Sequence, residues 1–209
     1  MNRQLIILEL FSGTGSFTKE ATKRGHYTFD VDMNPRFNPD WATDIDNLNI
    51  TDLPIEFQTP DVVWASPPCT QYSHAKRTGV RDLVGANKTV RKTLLLIHQL
   101  NPKIWILENP QTGLLKDQDF MRLLPFNDVS YCKYGYPYRK QTRIWNSLKT
   151  WAPKPTCKKD CGFVIDGRHI ASAGNGRKKY TDRPVPLTQK YSIPPELCEE
   201  LVIACENQV

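Results

Sequence analysis

The sequence lacks the long apolar run, about 18 residues, that a membrane-spanning helix requires, so a membrane protein is excluded. It also lacks the apolar core of a secretory signal, because Glu9 directly follows the short apolar stretch 5–8. Apolar residues make up 39% and charged residues 24% of the 209 residues, which excludes a disordered or collagen-like chain. We therefore expect a soluble, cytoplasmic protein without a membrane partner, built as one domain with a small additional lobe.

Disulfide bonds are not expected either, because no secretory signal accompanies the six cysteines. Each thiol then fills the core, binds a metal or acts as a nucleophile. The six are Cys69, Cys132, Cys157, Cys161, Cys198 and Cys205. Cys198 and Cys205 share one face of a predicted C-terminal helix, so both are expected in the core.

Positive charge is concentrated in one part of the chain. The net charge is +6, but residues 133–190 hold 14 basic and 3 acidic side chains, which is +11. Residues 1–67 hold 5 basic and 10 acidic side chains, which is −5. A basic segment of this kind favours a polyanionic partner, and nucleic acid is the first candidate.

The alternation of apolar strands and amphipathic helices predicts an α/β protein with a mostly parallel sheet and helices on both faces. Predicted strands cover residues 4–11, 27–32, 61–65, 103–108, 128–134 and 142–148. Predicted helices cover residues 16–25, 87–100, 113–123 and 194–205. Such sheets bind ligands past the carboxyl ends of their strands, and the distinctive motifs of this sequence fall there.

The turn after the first strand contains Gly13-Thr14-Gly15, whose glycines let a nucleotide approach the backbone. The third glycine of the dinucleotide fingerprint is absent, since Thr18 stands there, so a purely structural turn is equally compatible. Asp32 ends the second strand, where a carboxylate suits the ribose of an adenosine-bearing cofactor. Asp44 and Ile45 are then placed to meet the adenine amino group and ring.

Two other strand ends carry side chains suited to chemistry on a pyrimidine. Cys69 follows Pro67-Pro68, a rigid turn that presents a thiol as a nucleophile, although a small structural cysteine is the alternative. Glu108 ends an apolar strand, where partial desolvation favours the protonated carboxyl. A protonated carboxyl can pair with N3 and N4 of cytosine together, while Asn109 could instead cap a helix here.

The ordered set of motifs resembles the DNA cytosine-5 methyltransferase family. LELFSGTGSF is similar to the first motif of that family, SPPCTQYS to its Pro-Cys motif, and LENP to its Glu-Asn-Val motif. YGYPYRKQTRIW is similar to its Gln-x-Arg-x-Arg strand, and YSIPPELCEELVIAC to its closing helix. The gap between Cys69 and Glu108 is typical of the family, and the resemblance covers residues 5–148 and 182–205.

The resemblance implies a Rossmann-like class I S-adenosylmethionine-dependent fold, with a catalytic domain at 1–148 and 182–209. It implies a monomer that flips a cytosine out of double-stranded DNA, with Cys69 attacking C6 while Glu108 holds N3 and N4. The cofactor contacts that it implies are Phe11, Ser12, Gly13, Thr14, Gly15, Ser16, Asp32, Met33, Asp44, Ile45 and Pro68.

The Arg strand can be aligned with the family in two ways. Anchoring on Arg143-Ile144-Trp145 makes Arg143 the residue that contacts cytosine O2 or supports the site. Anchoring on Gly135 and Pro137 shifts the register by one residue and brings Lys140 forward. We take Arg143 as the catalytic residue. Lys140 is predicted as a DNA contact and is the alternative candidate for the role of Arg143. Further departures from the family pattern are Glu9, Ser16, Thr70 and Pro110.

The recognition region is the largest departure, because residues 149–181 leave room only for a small basic segment. Such a segment can neutralise phosphates without reading many base edges, so we expect a short or relaxed recognition site. The basic loop 74–86 is expected to close over the DNA. The predicted nucleic-acid contacts are Lys76, Arg77, Arg81, Lys140, Lys158, Lys159, Arg177, Lys178 and Lys179.

A structural zinc ion is a second expectation for this segment, since a lobe this small lacks a core of its own. Cys157 and Cys161, followed by His169, have a zinc-like spacing, and Cys132 can complete a tetrahedral set of ligands. Two exposed cysteines and a phosphate-contacting histidine are the alternative.

Three other functions remain compatible with the sequence. One is an RNA cytosine-5 methyltransferase, because a branch of the family acts on transfer RNA. Another is a non-catalytic nucleic-acid-binding protein with the same fold. The presence of Cys69, Glu108 and the glycine turn argues against it, because a protein that had lost its activity should have lost at least one of them. The third is an enzyme that attaches a different group through the same covalent adduct.

Overall fold

The computed structural model describes residues 3–172 and 185–209 of this protein. The strands are β1 Ile6–Leu10, β2 Tyr27–Asp32, β3 Trp41–Ala42, β4 Val62–Ala65, β5 Ile104–Pro110, β6 Phe126–Ser130, β7 Gln141–Asn146, β8 Val164–Ile165 and β9 Arg168–His169. The α-helices are α1 Ser16–Lys23, α2 Leu83–Leu100, α3 Leu187–Tyr191 and α4 Pro195–Gln208. An α-helix connects β1 to β2 and β4 to β5, as in an α/β protein, whereas 3-10 turns and the short β3 lie between β2 and β4.

Seven of the strands form one sheet in the order β3-β2-β1-β4-β5-β7-β6. Neighbours from β3 to β5 pair in parallel, whereas β7 runs antiparallel to both β5 and β6. The predicted mostly parallel sheet is therefore confirmed. Because β1, β2, β4 and β5 are parallel, their carboxyl ends meet at one edge, which brings the motifs that follow these strands together.

Helices cover both faces of the sheet, as predicted. On one face α1 and α4 pack together, and Phe17 stacks on Trp64 with ring centroids 4.6 Å apart. Cys198 and Cys205 are fully buried in this layer, which confirms their predicted place in the core. On the other face α2 buries an apolar stripe against β1 and β4. The central strands are thus covered on both sides, which explains their nearly continuous apolar sequences.

The helix predicted over 113–123 is wrong. Two short 3-10 turns, Leu114–Asp117 and Asp119–Met121, replace it, and Gln118 between them is extended. The Gln118 side chain explains the break, because it accepts from Asn87 Nδ2 at 2.9 Å and donates to the Leu114 carbonyl at 3.0 Å. The first bond ties the segment to α2, and the second joins the Gln118 side chain to the backbone of the segment itself.

Two other predicted boundaries shift. Helix α2 begins at Leu83 rather than at residue 87, because the Asp82 side chain accepts from the Gly85 amide at 2.8 Å and caps the helix. The strand predicted over 128–134 spans Phe126–Ser130 and passes into a 3-10 turn, Tyr131–Tyr134.

The described part of the basic segment contains the small hairpin of β8 and β9. Asp166 and Gly167 form its turn. Both have positive φ, the backbone conformation that two-residue hairpin turns favour. The boundaries 1–148, 149–181 and 182–209 stay a prediction. Among the described helices, none combines the length and the apolar character that crossing a membrane would need.

Candidate active site

The turn after β1 has the backbone conformation that its glycines favour. Gly13 and Gly15 have φ of 51° and 63°, in the left-handed region, and Phe11 has 59°. The Gly13 amide donates to Asp32 Oδ2 at 2.8 Å, and the Asn34 amide donates to Asp32 Oδ1 at 2.8 Å. The carboxylate that ends β2 therefore holds the glycine turn in place.

A pocket opens at the carboxyl ends of β1, β2 and β4. It is lined by Phe11, Val31, Asp32, Met33, Thr43, Asp44, Ile45, Pro68 and Thr89. The sequence predicts six of these as cofactor contacts; Val31, Thr43 and Thr89 carry no motif by which they could have been found. Mostly apolar walls with two carboxylates suit an adenosine, whose ring is flat and whose hydroxyl and amino groups donate hydrogen bonds.

The other predicted cofactor residues lie in the turn rather than among the residues lining the pocket. Ser12 is buried, and its amide donates to the Val31 carbonyl at 3.1 Å. The hydroxyls of Thr14 and Ser16 are 2.9 Å apart, and Ser16 Oγ accepts from the Ile193 amide at 3.0 Å. Ser16 thus connects the glycine turn to the segment that leads into α4.

Cys69 begins a tight turn directly after the Pro-Pro sequence. The amides of Tyr72 and Ser73 donate to its carbonyl at 3.0 and 2.9 Å, which fixes the turn. Asn109 Nδ2 donates to the Pro67 carbonyl at 2.8 Å and so joins the Cys69 turn to the end of β5. Burial raises the pKa of the Cys69 thiol, nearby Glu108 raises this pKa further, and Lys140 lowers it.

Glu108 is 6% exposed and faces two partners. Tyr131 donates its hydroxyl to Glu108 Oε1 at 3.0 Å, and Lys140 Nζ lies 3.6 Å from the same oxygen. The ammonium of Lys140 also lies over the Tyr131 ring, 4.7 Å from its centroid. Burial and the nearby Glu108 raise the pKa of Tyr131, so it stays a hydroxyl donor. Sequence reasoning missed Tyr131, which belongs to no recognised motif.

Arg143 is not brought to this site, which corrects its predicted role beside the cytosine. It pairs with Asp128 through two hydrogen bonds, of 2.7 and 2.8 Å, and lies over the Phe126 ring. In the β5–β7 register Glu108 pairs with Ile144, so Arg143 points to the opposite face of the sheet. Lys140, the rival assignment, is the cation beside Glu108.

Two of the predicted DNA contacts on the basic loop are engaged within the loop itself. Lys76 Nζ donates to Gln71 Oε1 at 2.7 Å and to the Val80 carbonyl at 2.9 Å. Arg81 donates to the carbonyls of Gln71 and Ser73. Arg77, Lys158 and Lys159 are exposed, whereas Arg177, Lys178 and Lys179 lie outside the described residues.

The predicted metal ligands do come together. Cys132, Cys157, Cys161 and His169 offer ligand atoms that all lie within 4.8 Å of one another. They come from three separate pieces of chain, the 3-10 turn after β6, the loop that follows β7, and β9. The fold therefore brings together four predicted metal ligands from separate parts of the sequence.

Comparison with known proteins gives the family. A profile of C-5 cytosine-specific DNA methylases matches residues 6–124. The chain is 34% identical to the "Probable DNA (cytosine-5)-methyltransferase" of Frog virus 3 (isolate Goorha), across 95% of this chain and 99% of that protein. The chain belongs to the C-5 cytosine-specific DNA methylases. The resemblance seen in the motifs is confirmed, and with it the predicted class of enzyme.

Solved structures show the same fold at lower identity. A protein encoded in an E. coli prophage and assigned as a DNA modification methyltransferase has 19% identity and a TM-score of 0.54, over 68% of this chain. The Entamoeba histolytica methyltransferase EhMeth has 17% identity and a TM-score of 0.52, over 73% of this chain. This chain spans 46% and 55% of their lengths, respectively.

Membership of the C-5 cytosine-specific DNA methylases gives each part of the site a context. S-adenosylmethionine is the general cofactor of the family. Pro68 lines the pocket at the carboxyl ends of β1, β2 and β4, and Cys69 follows Pro68 directly. Cys69 is therefore the next residue along the backbone from the lining of this pocket.

Proposed function

We propose that this protein transfers the methyl group of S-adenosylmethionine to C5 of a cytosine in double-stranded DNA, through a covalent bond between Cys69 and C6. One arrangement carries the proposal. Cys69 follows β4, Glu108 lies near the carboxyl end of the neighbouring parallel strand β5, and the two share one nearby cation, Lys140. The residue before Cys69 lines the pocket proposed for the cofactor, which supports a methyl donor bound at the same edge of the sheet as the thiol and the carboxyl.

The side chains divide the work on the base. The Cys69 sulfur forms a bond to C6, while the Glu108 carboxyl gives a proton to N3 and accepts a hydrogen bond from N4. S-adenosylmethionine, when bound, supplies the electrophilic methyl group for C5. Solvent water then accepts the C5 proton, N3 returns its proton to Glu108, and Cys69 departs as the thiolate, which restores the aromatic ring. Tyr131, donating to Glu108 at 3.0 Å, holds the carboxyl in position throughout.

Lys140 provides the charge that this chemistry needs. The Cys69 thiol must lose its proton to attack, and burial opposes that loss. The ammonium lowers the Cys69 pKa and lies 3.6 Å from Glu108, so it stabilises both the thiolate and the carboxylate left after proton transfer. Because the Cys69 pKa lies above its ordinary value of 9.0, the rate of methyl transfer should rise with pH and go on rising past pH 9.

A labelling experiment tests the proposal. The protein is incubated with tritiated S-adenosylmethionine and with double-stranded DNA, single-stranded DNA or transfer RNA, and the labelled nucleoside is identified after digestion. We expect 5-methyldeoxycytidine from double-stranded DNA, and none with Cys69→Ala, which should still bind cofactor and DNA. Label confined to RNA would replace the proposed substrate. Turnover by Cys69→Ala near the wild-type rate would remove the covalent step.

A further inference from the structure

A cluster of metal-binding side chains lies apart from the pocket and the Cys69 turn. His169 Nε2 is 3.3 Å from Cys161 Sγ and 3.6 Å from Cys157 Sγ. Tetrahedral zinc, with bonds of about 2.3 Å to sulfur and about 2.0–2.1 Å to nitrogen, separates these atoms by about 3.6 Å. With Cys132 included, all four ligand atoms lie within 4.8 Å of one another, so their spacing suits one central ion.

The backbone around these ligands is arranged to present them. Lys159 has a φ of 72°, and its amide donates to Cys157 Sγ at 3.2 Å. An amide aimed at sulfur stabilises the negative charge of a metal-bound thiolate. The Asp166-Gly167 turn folds β9 back, which carries His169 towards the two loop cysteines. Cys132 and Cys157 are only 3% and 2% exposed, so solvent is largely excluded from half of the ligand set.

We propose that Cys132, Cys157, Cys161 and His169 bind one structural zinc ion, which fastens segment 153–172 to the turn that follows β6. Four protein ligands fill a tetrahedral site and leave no position for a reacting water, so the ion is structural rather than catalytic. The three thiols lose their protons on binding and the imidazole stays neutral, which leaves the complex with one negative charge. The proposal rests on the cluster alone and does not depend on the proposed methyl transfer.

The position of the ion gives it a defined mechanical role. Cys132 directly follows Tyr131, whose hydroxyl contacts Glu108, and the Cys157 amide donates to Ser130 Oγ at 3.0 Å. The ion therefore joins the basic segment to the residues that support the active-site carboxyl. Losing the ion should loosen segment 153–172 first, while β1, β4 and β5 keep their packing.

Zinc content is the first measurement, made on the full chain by elemental analysis. We expect about one zinc per chain in the wild type, and below about a tenth of that in Cys161→Ala and His169→Ala. His169→Cys should keep the ion, because four thiolates also form a zinc site. Cys205→Ala is the matched control, since that cysteine lies in the core away from the cluster, and it should also keep the ion.

Cobalt substitution of the wild type provides a readout that needs no variant to fold. Tetrahedral thiolate ligation should give visible absorption bands that disappear when one equivalent of zinc is added. Hydrogen exchange after chelation should accelerate in segment 153–172 and stay unchanged in β1, β4 and β5. The proposal is overturned if the wild type takes up no zinc, if His169→Ala binds it like the wild type, or if two cluster cysteines are found in a disulfide.

Discussion

At the scale of single residues, the Cys69 thiol lies under the influence of a carboxyl and an ammonium. Burial and Glu108 raise its pKa, and Lys140 lowers it. Because Lys140 also lies 3.6 Å from Glu108, one cation serves both groups. Near neutral pH the thiol form of Cys69 is therefore favoured, and the balance between these two neighbours determines how readily the thiolate forms.

Lys140→Gln should slow both methyl transfer and alkylation of Cys69. Removing the ammonium raises the Cys69 pKa further, and each pKa unit lowers the thiolate fraction about tenfold near neutral pH. Iodoacetamide labelling of Cys69, followed by mass spectrometry from about pH 6 to about pH 10, measures the effect. The labelling profile should move to higher pH.

Arg143→Gln is the comparison for that experiment, because it removes a cation from the opposite face of the sheet. It breaks the pair with Asp128 and should lower the free energy of unfolding, while the labelling profile of Cys69 stays in place. The opposite result, a shifted Cys69 labelling profile in Arg143→Gln and an unshifted one in Lys140→Gln, would show that Arg143 is the cation near Cys69. It would then support the alignment that places Arg143 beside the cytosine.

Glu9 should make the protein less stable as pH rises. It is a buried residue of β1 and accepts from the Thr18 amide at 2.7 Å, and burial raises its pKa to about 7. The native state keeps this proton up to about pH 7, whereas the unfolded carboxyl releases it near pH 4.5. Its contribution to stability is therefore complete below the unfolded pKa and is lost as pH rises through the native one.

Glu9→Gln should flatten this pH dependence and raise the free energy of unfolding above pH 8 by up to about 3 kcal/mol. Urea unfolding at several pH values measures the difference, with exposed Glu56→Gln as the control. A variant as pH-dependent as the wild type would show that Glu9 does not hold the proton.

At the scale of secondary-structure elements, the site depends on how strand ends are fastened to one another. Asn109 ends the buried part of β5 and donates to the Pro67 carbonyl, which lies just past β4. Asp32, at the end of β2, accepts from the turn that follows β1. These two bonds connect loops from four parallel strands, so the site is as rigid as the sheet edge that carries it.

Asn109→Ala should separate catalysis from cofactor binding. Without its bond, the Pro67 carbonyl loses a buried donor and the Cys69 turn loosens, so kcat should fall about tenfold or more. Affinity for S-adenosylmethionine should change by less than about twofold, because Asn109 does not line the pocket. Asn127→Ala, an amide on β6, is the control. Unchanged kcat with lower stability would assign Asn109 a structural role alone.

At the scale of the whole molecule, charge is separated along the chain. The excess of positive charge falls in residues 133–190, whereas residues 1–67 carry a net negative charge. Lys158 and Lys159 are exposed in the loop that also carries Cys157 and Cys161. DNA phosphates should therefore meet the lobe that the cluster organises, next to the Lys140 side of the site.

Binding to DNA should weaken with salt, and the basic lobe should set the slope. Replacing both Lys158 and Lys159 by alanine should lower the slope of log K against log salt by about 0.9 for each phosphate that the variant no longer neutralises. Lys23→Ala, an exposed lysine on α1 paired with Glu20, is the control and should leave the slope unchanged. Equal slopes for all three proteins would remove Lys158 and Lys159 from the interface.

Much of this protein is determined locally and can therefore be predicted from its sequence. Strands buried on both faces show as continuous apolar runs, and the turn after β1 needs glycine because its φ values are positive. Cys69 and Glu108 could be recognised because each lies beside rigid or apolar neighbours. The family, the sheet and the ligands of the predicted zinc site all follow from patterns of this kind.

Long-range pairing decided the rest. The choice between Arg143 and Lys140 turned on the β5–β7 register, since a shift of one residue moves a side chain to the other face of a sheet. Tyr131 became part of the site only because the turn after β6 packs beside β5. The segment 113–123 has helical composition, yet side-chain bonds from Gln118 to α2 and to its own backbone break it. Each of these outcomes depends on partners distant in sequence, so it cannot be predicted from the sequence of one strand or helix alone.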